Sequence, residues 1–104
     1  MRQFDICKLR PTQPGAGGPE LIVVLQSDLL SELATRVVAP LVKERDLPPI
    51  GRLRPVITHR GRRYRIVIDQ INVVGVRNVG DVVGSAQSAD YDIGRAIDGV
   101  FILF

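Results

Sequence analysis

The sequence predicts a single domain of mostly β structure finished by a C-terminal helix, an α+β arrangement, and three observations carry that prediction. Runs at Gln3 to Leu9, Leu21 to Leu25 and Val56 to Ile68 are alternating or β-branched, as strands are. Clusters of proline and glycine, PTQPGAGGP at 11 to 19 and DLPPIGRLRP at 46 to 55, separate these runs as loops and connections. After Ser88 the apolar period lengthens to that of a helix. A chain of 104 residues is long enough for one core and too short for two, so residues 1–104 are read as one domain.

Taken in order, Phe4 and Ile6 alternate with Gln3 and Asp5, the pattern of a half-buried strand. Leu21 to Leu25 is an unbroken apolar run without helical spacing, which predicts a central strand paired with the first as a hairpin. The next segment, SDLLSELATRVVAPL, supports two readings. Leu29, Leu30, Leu33, Val37 and Leu41 fit helical spacing behind Ser27 or Asp28 as N-cap, and periodicity leans to helix. The β-branched Thr35, Val37 and Val38, with Pro40, favour a turn followed by a strand.

Val56 to Ile68 predicts two strands about a turn near Arg60-Gly61. Val73, Val74, Val76, Val79, Val82 and Val83, interrupted by Gly75, Gly80 and Gly84, predict short strand fragments separated by bends. The final helix opens at Ser88 to Asp90, either residue serving as N-cap. Ile93, Ala96, Ile97, Val100, Phe101 and Phe104 then form one stripe. Gly94 and Gly99 weaken this helix by about 1 kcal/mol each against alanine, so tertiary packing must hold it.

Composition narrows the class. The hydrophobic fraction is 45% and the charged fraction 24%, average for folded proteins and unlike disordered, collagen-like or coiled-coil chains. No apolar run approaches the ~20 residues of a membrane span, and MRQFDICKLR lacks the apolar stretch of a signal peptide. With one unpaired cysteine, Cys7, the expectation is a cytoplasmic protein in a reducing compartment. The net charge of +3 comes from twelve arginines against two lysines, an excess suited to carboxylate or phosphate partners or simply to codon bias.

No metal, cofactor or nucleophilic site is expected, because one His and one Cys half a chain apart cannot supply a ligand set or a catalytic pair. The glycines of GAGGP and VRNVGDVVG lack the lysine and the strand-turn-helix setting of a phosphate-cradling loop. His59 reads as a hairpin residue at the surface. Arg52 to Arg65 is stronger, with six arginines, His59, Tyr64 and no acid. Such a hairpin can lie on phosphates, bind an acidic peptide, or simply present a solvated strand face that discourages aggregation. At the tail, Phe104 falls near the centre of the helical stripe, Leu103 on its flank and Ile102 opposite, beside Arg95 and Asp98. A large apolar side chain on that polar face points to a partner surface, unless the last turn frays and leaves a single exposed isoleucine that needs no explanation.

Several blocks together resemble a known family. Gln3-Phe4-Asp5, the run Val23-Val24-Leu25-Gln26-Ser27-Asp28-Leu29-Leu30, the segment Thr35-Arg36-Val37-Val38-Ala39-Pro40-Leu41, Arg63-Tyr64 and the C-terminal helix are similar, in one order over essentially the whole chain, to CcdB toxins. The resemblance implies an SH3-like antiparallel β-barrel with a C-terminal α-helix, residues 35 to 41 being a strand. It implies a homodimer that is not an enzyme, has no cofactor and binds no nucleic acid sequence on its own. The implied activity is that of a plasmid-maintenance toxin, a topoisomerase poison that traps the DNA gyrase A subunit on cleaved DNA. A CcdA-like acidic antitoxin would neutralise it. By position, gyrase would be met by Leu29, Leu30, Asp98, Phe101, Ile102, Leu103 and Phe104, and the antitoxin by Phe4, Ile6, Tyr64 and Arg65.

The chain departs from the family pattern in places. It carries Ile102-Leu103-Phe104 where family toxins end in Trp-Gly-Ile, Val24 replaces an aspartate, and the first loop is enlarged. Two alternatives stay open beside gyrase poisoning. One is an endoribonuclease of the same fold, with the Arg52 to Arg65 face and His59 as its groove. The other is a non-toxic homologue that only binds antitoxin.

Overall fold

The strands meet in antiparallel pairs, as expected of connections too short for crossovers. The computed structural model describes residues 1–11 and 19–101. Seven strands are formed: β1 (Asp5–Leu9), β2 (Leu21–Val24), β3 (Thr35–Lys43), β4 (Val56–His59), β5 (Arg62–Ile66), β6 (Asn72–Gly75) and β7 (Val79–Ser85). One helix, α1 (Asp90–Phe101), follows. The sheet runs β4-β5-β3-β2-β1-β7, with β6 also on β3, and curls into a half-barrel. The α+β expectation of a mostly antiparallel barrel with one C-terminal helix therefore holds.

The segment with two readings resolves as a strand. Residues Asp28–Leu30 form a single 3-10 turn, and β3 then runs nine residues to Lys43. Tertiary pairing overrides helical spacing here: Val38 to Pro40 pair with β2 on one edge. The opposite edge is shared, Thr35 to Val38 with β6 and Leu41 to Lys43 with β5. Pro40 sits in this central strand without breaking it. Its carbonyl accepts from Val67 N–H at 2.9 Å, so its nitrogen faces the same side, in the gap where β6 has ended and β5 has barely begun.

β2 explains its own unbroken apolar run. Val23 and Leu25 belong to the larger core, with Ile6, Ala39, Leu41, Ile57, Ile66, Ile68, and Ile93 and Ala96 of α1. Ile22 and Val24 point the other way into a smaller core with Cys7, Val38 and Val79. A strand buried on both faces has no polar face to show. β1 is paired on both edges, with β2 and with β7, and two register shifts against β7 bend the sheet round.

The predicted hairpin of β4 and β5 closes through Arg60 (φ +52) and Gly61 (φ +76), both left-handed, with His59 opposite Arg62. This geometry matches the right-handed twist of the flanking strands. Phe4 is also left-handed (φ +69), held by Val24, whose carbonyl accepts its N–H at 2.7 Å, and by its packing on the larger core.

The helix follows its stripe only part of the way. Ile93 and Ala96 are fully buried, and Ile97 and Val100 lean on the core. Phe101 is 68% exposed, a correction to the stripe read through it: beyond Val100 the helix has no core beneath that position. Phe104 lies outside the described residues. Neither suggested N-cap forms a cap in the expected sense. A 3-10 turn at Gln87–Ala89 leads in, and Asp90, already helical, accepts from Tyr91 N–H at 2.7 Å.

Since α1 is held mainly by Ile93 and Ala96, Ile93→Ala is expected to lower unfolding free energy by ~2–5 kcal/mol. Urea denaturation followed by far-ultraviolet circular dichroism checks this.

Candidate functional sites

Two surfaces offer chemistry or recognition. The first is the connection from β2 to β3. Leu29 is 94% exposed, and Leu30 and Leu33 are each about half exposed. Every residue from Asp28 to Thr35 is exposed, so the segment contributes no side chain to either core. It is nevertheless tied down. Ser27 Oγ accepts from Leu29 N–H at 3.2 Å, and the Asp28 carboxylate accepts from Gln3 N–H at 2.8 Å.

Two buried polar side chains complete the hold. Gln26 Nε2 donates to the Leu30 and Thr35 carbonyls at 3.1 and 3.2 Å, while its Oε1 accepts from Val37 N–H at 3.1 Å. Arg36, 8% exposed, donates to the carbonyls of Leu33 at 2.6 Å, Thr35 at 2.8 Å and Ser31 at 2.7 Å. Asp98 and Phe101 are exposed on α1. Ile102, Leu103 and Phe104, expected to share this surface, lie outside the described residues.

The second surface is a cleft of about 1090 Å³. The β4–β5 hairpin contributes His59, Arg60, Arg62 and Tyr64, β1 and the residue after it contribute Lys8 and Arg10, and β6 supplies the facing wall. Glu20 also lines it.

The six arginines of 52 to 65 do not form one basic face, which corrects the sequence reading. Arg54 makes a two-pronged contact with Asp69 at 3.0 and 2.9 Å. Arg63 does the same to Glu44 at 2.9 and 3.2 Å. Arg65 donates to the Leu47 carbonyl at 2.8 Å and its side chain is 13% exposed. The alternation of β5 sends Arg62 and Tyr64 to the cleft and Arg63 and Arg65 to the far side. The acids that claim Arg54, Arg63 and Arg65 lie fifteen to twenty-one residues away, invisible to a local pattern. Hydrogen bonds from their arginines hold the Glu44 and Asp69 carboxyls below the usual range.

Among the residues expected to meet an antitoxin, Tyr64 lines the cleft and Phe4 is half-buried. Ile6 is 1% exposed in a strand paired on both sides, so its side chain belongs to the core, a correction to its expected place at a surface. Arg65 is likewise withdrawn by its contacts.

His59 is not a solvated hairpin residue. It is 9% exposed, its ring meets Tyr64 edge-on at 6.1 Å, and it lies against Gly84 of β7, where a Cβ would come within 2.8 Å of Cε1. Burial, and then the charge of Arg60, push its pKa down, so the ring is neutral at pH 7. Burial raises the Cys7 thiol, which keeps it protonated and unreactive. No group of three metal-ligating side chains occurs among the described residues, and no described helix is long and apolar enough to cross a membrane.

The fold is thus a curled antiparallel half-barrel backed by one helix, and it carries an exposed apolar loop and a basic cleft. An endoribonuclease solved in complex with its cognate antitoxin, from a mycobacterial species, superposes with TM-score 0.78 at 14% identity, covering 100% of this chain and 97% of that one. The Mycobacterium tuberculosis toxin MazF-mt6 superposes with TM-score 0.77 at 14% identity, covering 96% and 98%. A comparison with curated proteins finds no sequence match. A family model described as CcdB protein matches residues 3–102, and the chain belongs to the CcdB family.

One implication of the family resemblance is overturned. The chain was expected not to be an enzyme, yet its fold is shared with a protein described as an endoribonuclease, so that exclusion does not stand.

The buried neutral imidazole gives a pH signature. The unfolded chain takes up a proton at the ordinary His pKa of 6.5, before the folded one does. Stability is therefore complete above 6.5 and declines as pH falls through the lowered folded value, ahead of the carboxylates, whose ordinary values are 4.5 and 3.8. Melting temperature measured from pH 7.5 to 5 is expected to fall, and His59→Gln to flatten that fall.

Proposed function

We propose that this toxin poisons DNA gyrase by docking on its A subunit through the loop leucines and the end of α1, holding the enzyme on cleaved DNA. The observation that carries the reading is the ordered, wholly exposed segment bearing Leu29, Leu30 and Leu33, apolar surface without a use inside the domain. Asp98, Phe101, Ile102, Leu103 and Phe104 would complete the surface. In this reading the toxin is a cytoplasmic homodimer of plasmid-maintenance type. An acidic CcdA-like antitoxin would be drawn to Tyr64, Arg60 and Arg62, and to Phe4.

A second reading, RNA cleavage, is favoured by the basic cleft itself. Lys8, Arg10, Arg60 and Arg62 can hold phosphates, and neutral His59 can accept a proton from a ribose hydroxyl. It is further supported by the fold's occurrence in an endoribonuclease.

Expression without antitoxin is expected to arrest growth with protein-linked double-strand breaks. Leu29→Glu, at a position that carries no packing, is expected to weaken binding to purified gyrase A by at least about tenfold without changing the melting temperature. Unchanged binding would sink the docking surface. Cleavage of RNA by purified toxin, abolished by His59→Ala and by Arg62→Ala, would install the second reading instead. Tight antitoxin binding with neither activity would mark a non-toxic homologue.

A further inference from the structure

The segment between β2 and β3 poses a physical problem. A run of eight exposed residues with no buried side chain would ordinarily be among the least ordered parts of a domain. Yet its carbonyl groups are gathered inward: those of Leu30, Ser31, Leu33 and Thr35 all accept from just two side chains, Gln26 and Arg36. The Gln26 amide nitrogen and the Arg36 guanidinium make no hydrogen bond outside this segment among the described residues. Arg36 has no carboxylate partner among the described residues. Placing a guanidinium there costs desolvation, which the three carbonyls offset.

We infer that Gln26 and Arg36 are positioning residues for target recognition, fixing the backbone from Asp28 to Thr35 so that Leu29, Leu30 and Leu33 are presented in one preformed arrangement. This deepens the gyrase reading and rests on it. Freezing the loop before encounter removes an ordering cost that binding would otherwise bear. Gln26 has a divided role: its Oε1 closes onto Val37 beside the β2–β3 pairing, while its Nε2 reaches into the loop. The loop is thereby referenced to the sheet rather than merely to itself.

The test uses the full-length toxin and purified gyrase A subunit. Gln26→Met and Arg36→Met remove the donors at similar side-chain length, and Arg36→Lys, which keeps a single charged donor, serves if Arg36→Met does not fold. Amide hydrogen exchange is expected to quicken at least about tenfold across 28–35 while β1, β2 and α1 keep their protection. Gyrase A affinity is expected to drop at least about tenfold. A double-mutant cycle separates positioning from general destabilisation: Leu29→Ala is expected to cost about tenfold in the wild type but under about threefold beside Arg36→Met. Loop exchange unchanged in the variants overturns the clamp. Faster exchange with unaltered gyrase affinity, or a Leu29→Ala cost that stays the same, overturns its role in recognition. Absence of gyrase binding by the wild type refutes the function itself, and the clamp is then judged on exchange alone.

Discussion

Everything in this molecule is hung on β3. One edge of the strand is taken by β2, and the other is divided between β6 and β5, so two separate pieces of sheet share one spine. Such sharing needs a place where one partner can stop and another start. Pro40 occupies it, with no N–H to leave unsatisfied. Both candidate sites inherit their positions from this arrangement. The apolar loop feeds into the start of β3, and the cleft is walled by β6 and by the hairpin that contains β5. Distortion of β3 would displace both at once.

Much of the fold was legible because local pattern and tertiary environment agree. The β1–β2 hairpin, the turn at Arg60-Gly61 and the helix around Ile93 all carry the period of the surface they bury. The segment after Ser27 misled because leucines spaced like a helix's apolar face are in fact displayed to solvent rather than buried. Periodicity measures which residues could share a face, and it cannot tell whether any core lies beneath that face. The resemblance to CcdB toxins settled the strand where spacing could not. Phe101 failed for the same reason: it continues the stripe past the point where the domain ends beneath it.

The sites were less legible than the fold, because charge is settled in three dimensions. Half of the arginines in the 52 to 65 stretch are used internally, two of them binding Glu44 and one Asp69. Of the other three, Arg52 lies elsewhere, beside Tyr91 and Asp92, while Arg60 and Arg62 at the hairpin tip share their cleft with an acid, Glu20. His59 was similarly misjudged. Its neighbour Gly84 is far along the chain, and only the curl of the sheet brings the two together. Arg36 could have been suspected from sequence on one ground alone: a charged residue inside an otherwise β-branched, apolar run demands internal partners.

The segment from Asp28 to Thr35 gives its side chains to no core, and beyond the Asp28 carboxylate on Gln3 N–H it is held by contacts to its backbone carbonyls. Backbone carbonyls are the same whatever the residue. The scaffold is thus indifferent to the identity of the outward-facing letters, and the loop can be rewritten by mutation with little penalty to folding. A lineage of such proteins can alter this exposed surface one codon at a time, each intermediate still a folded protein on which selection can act.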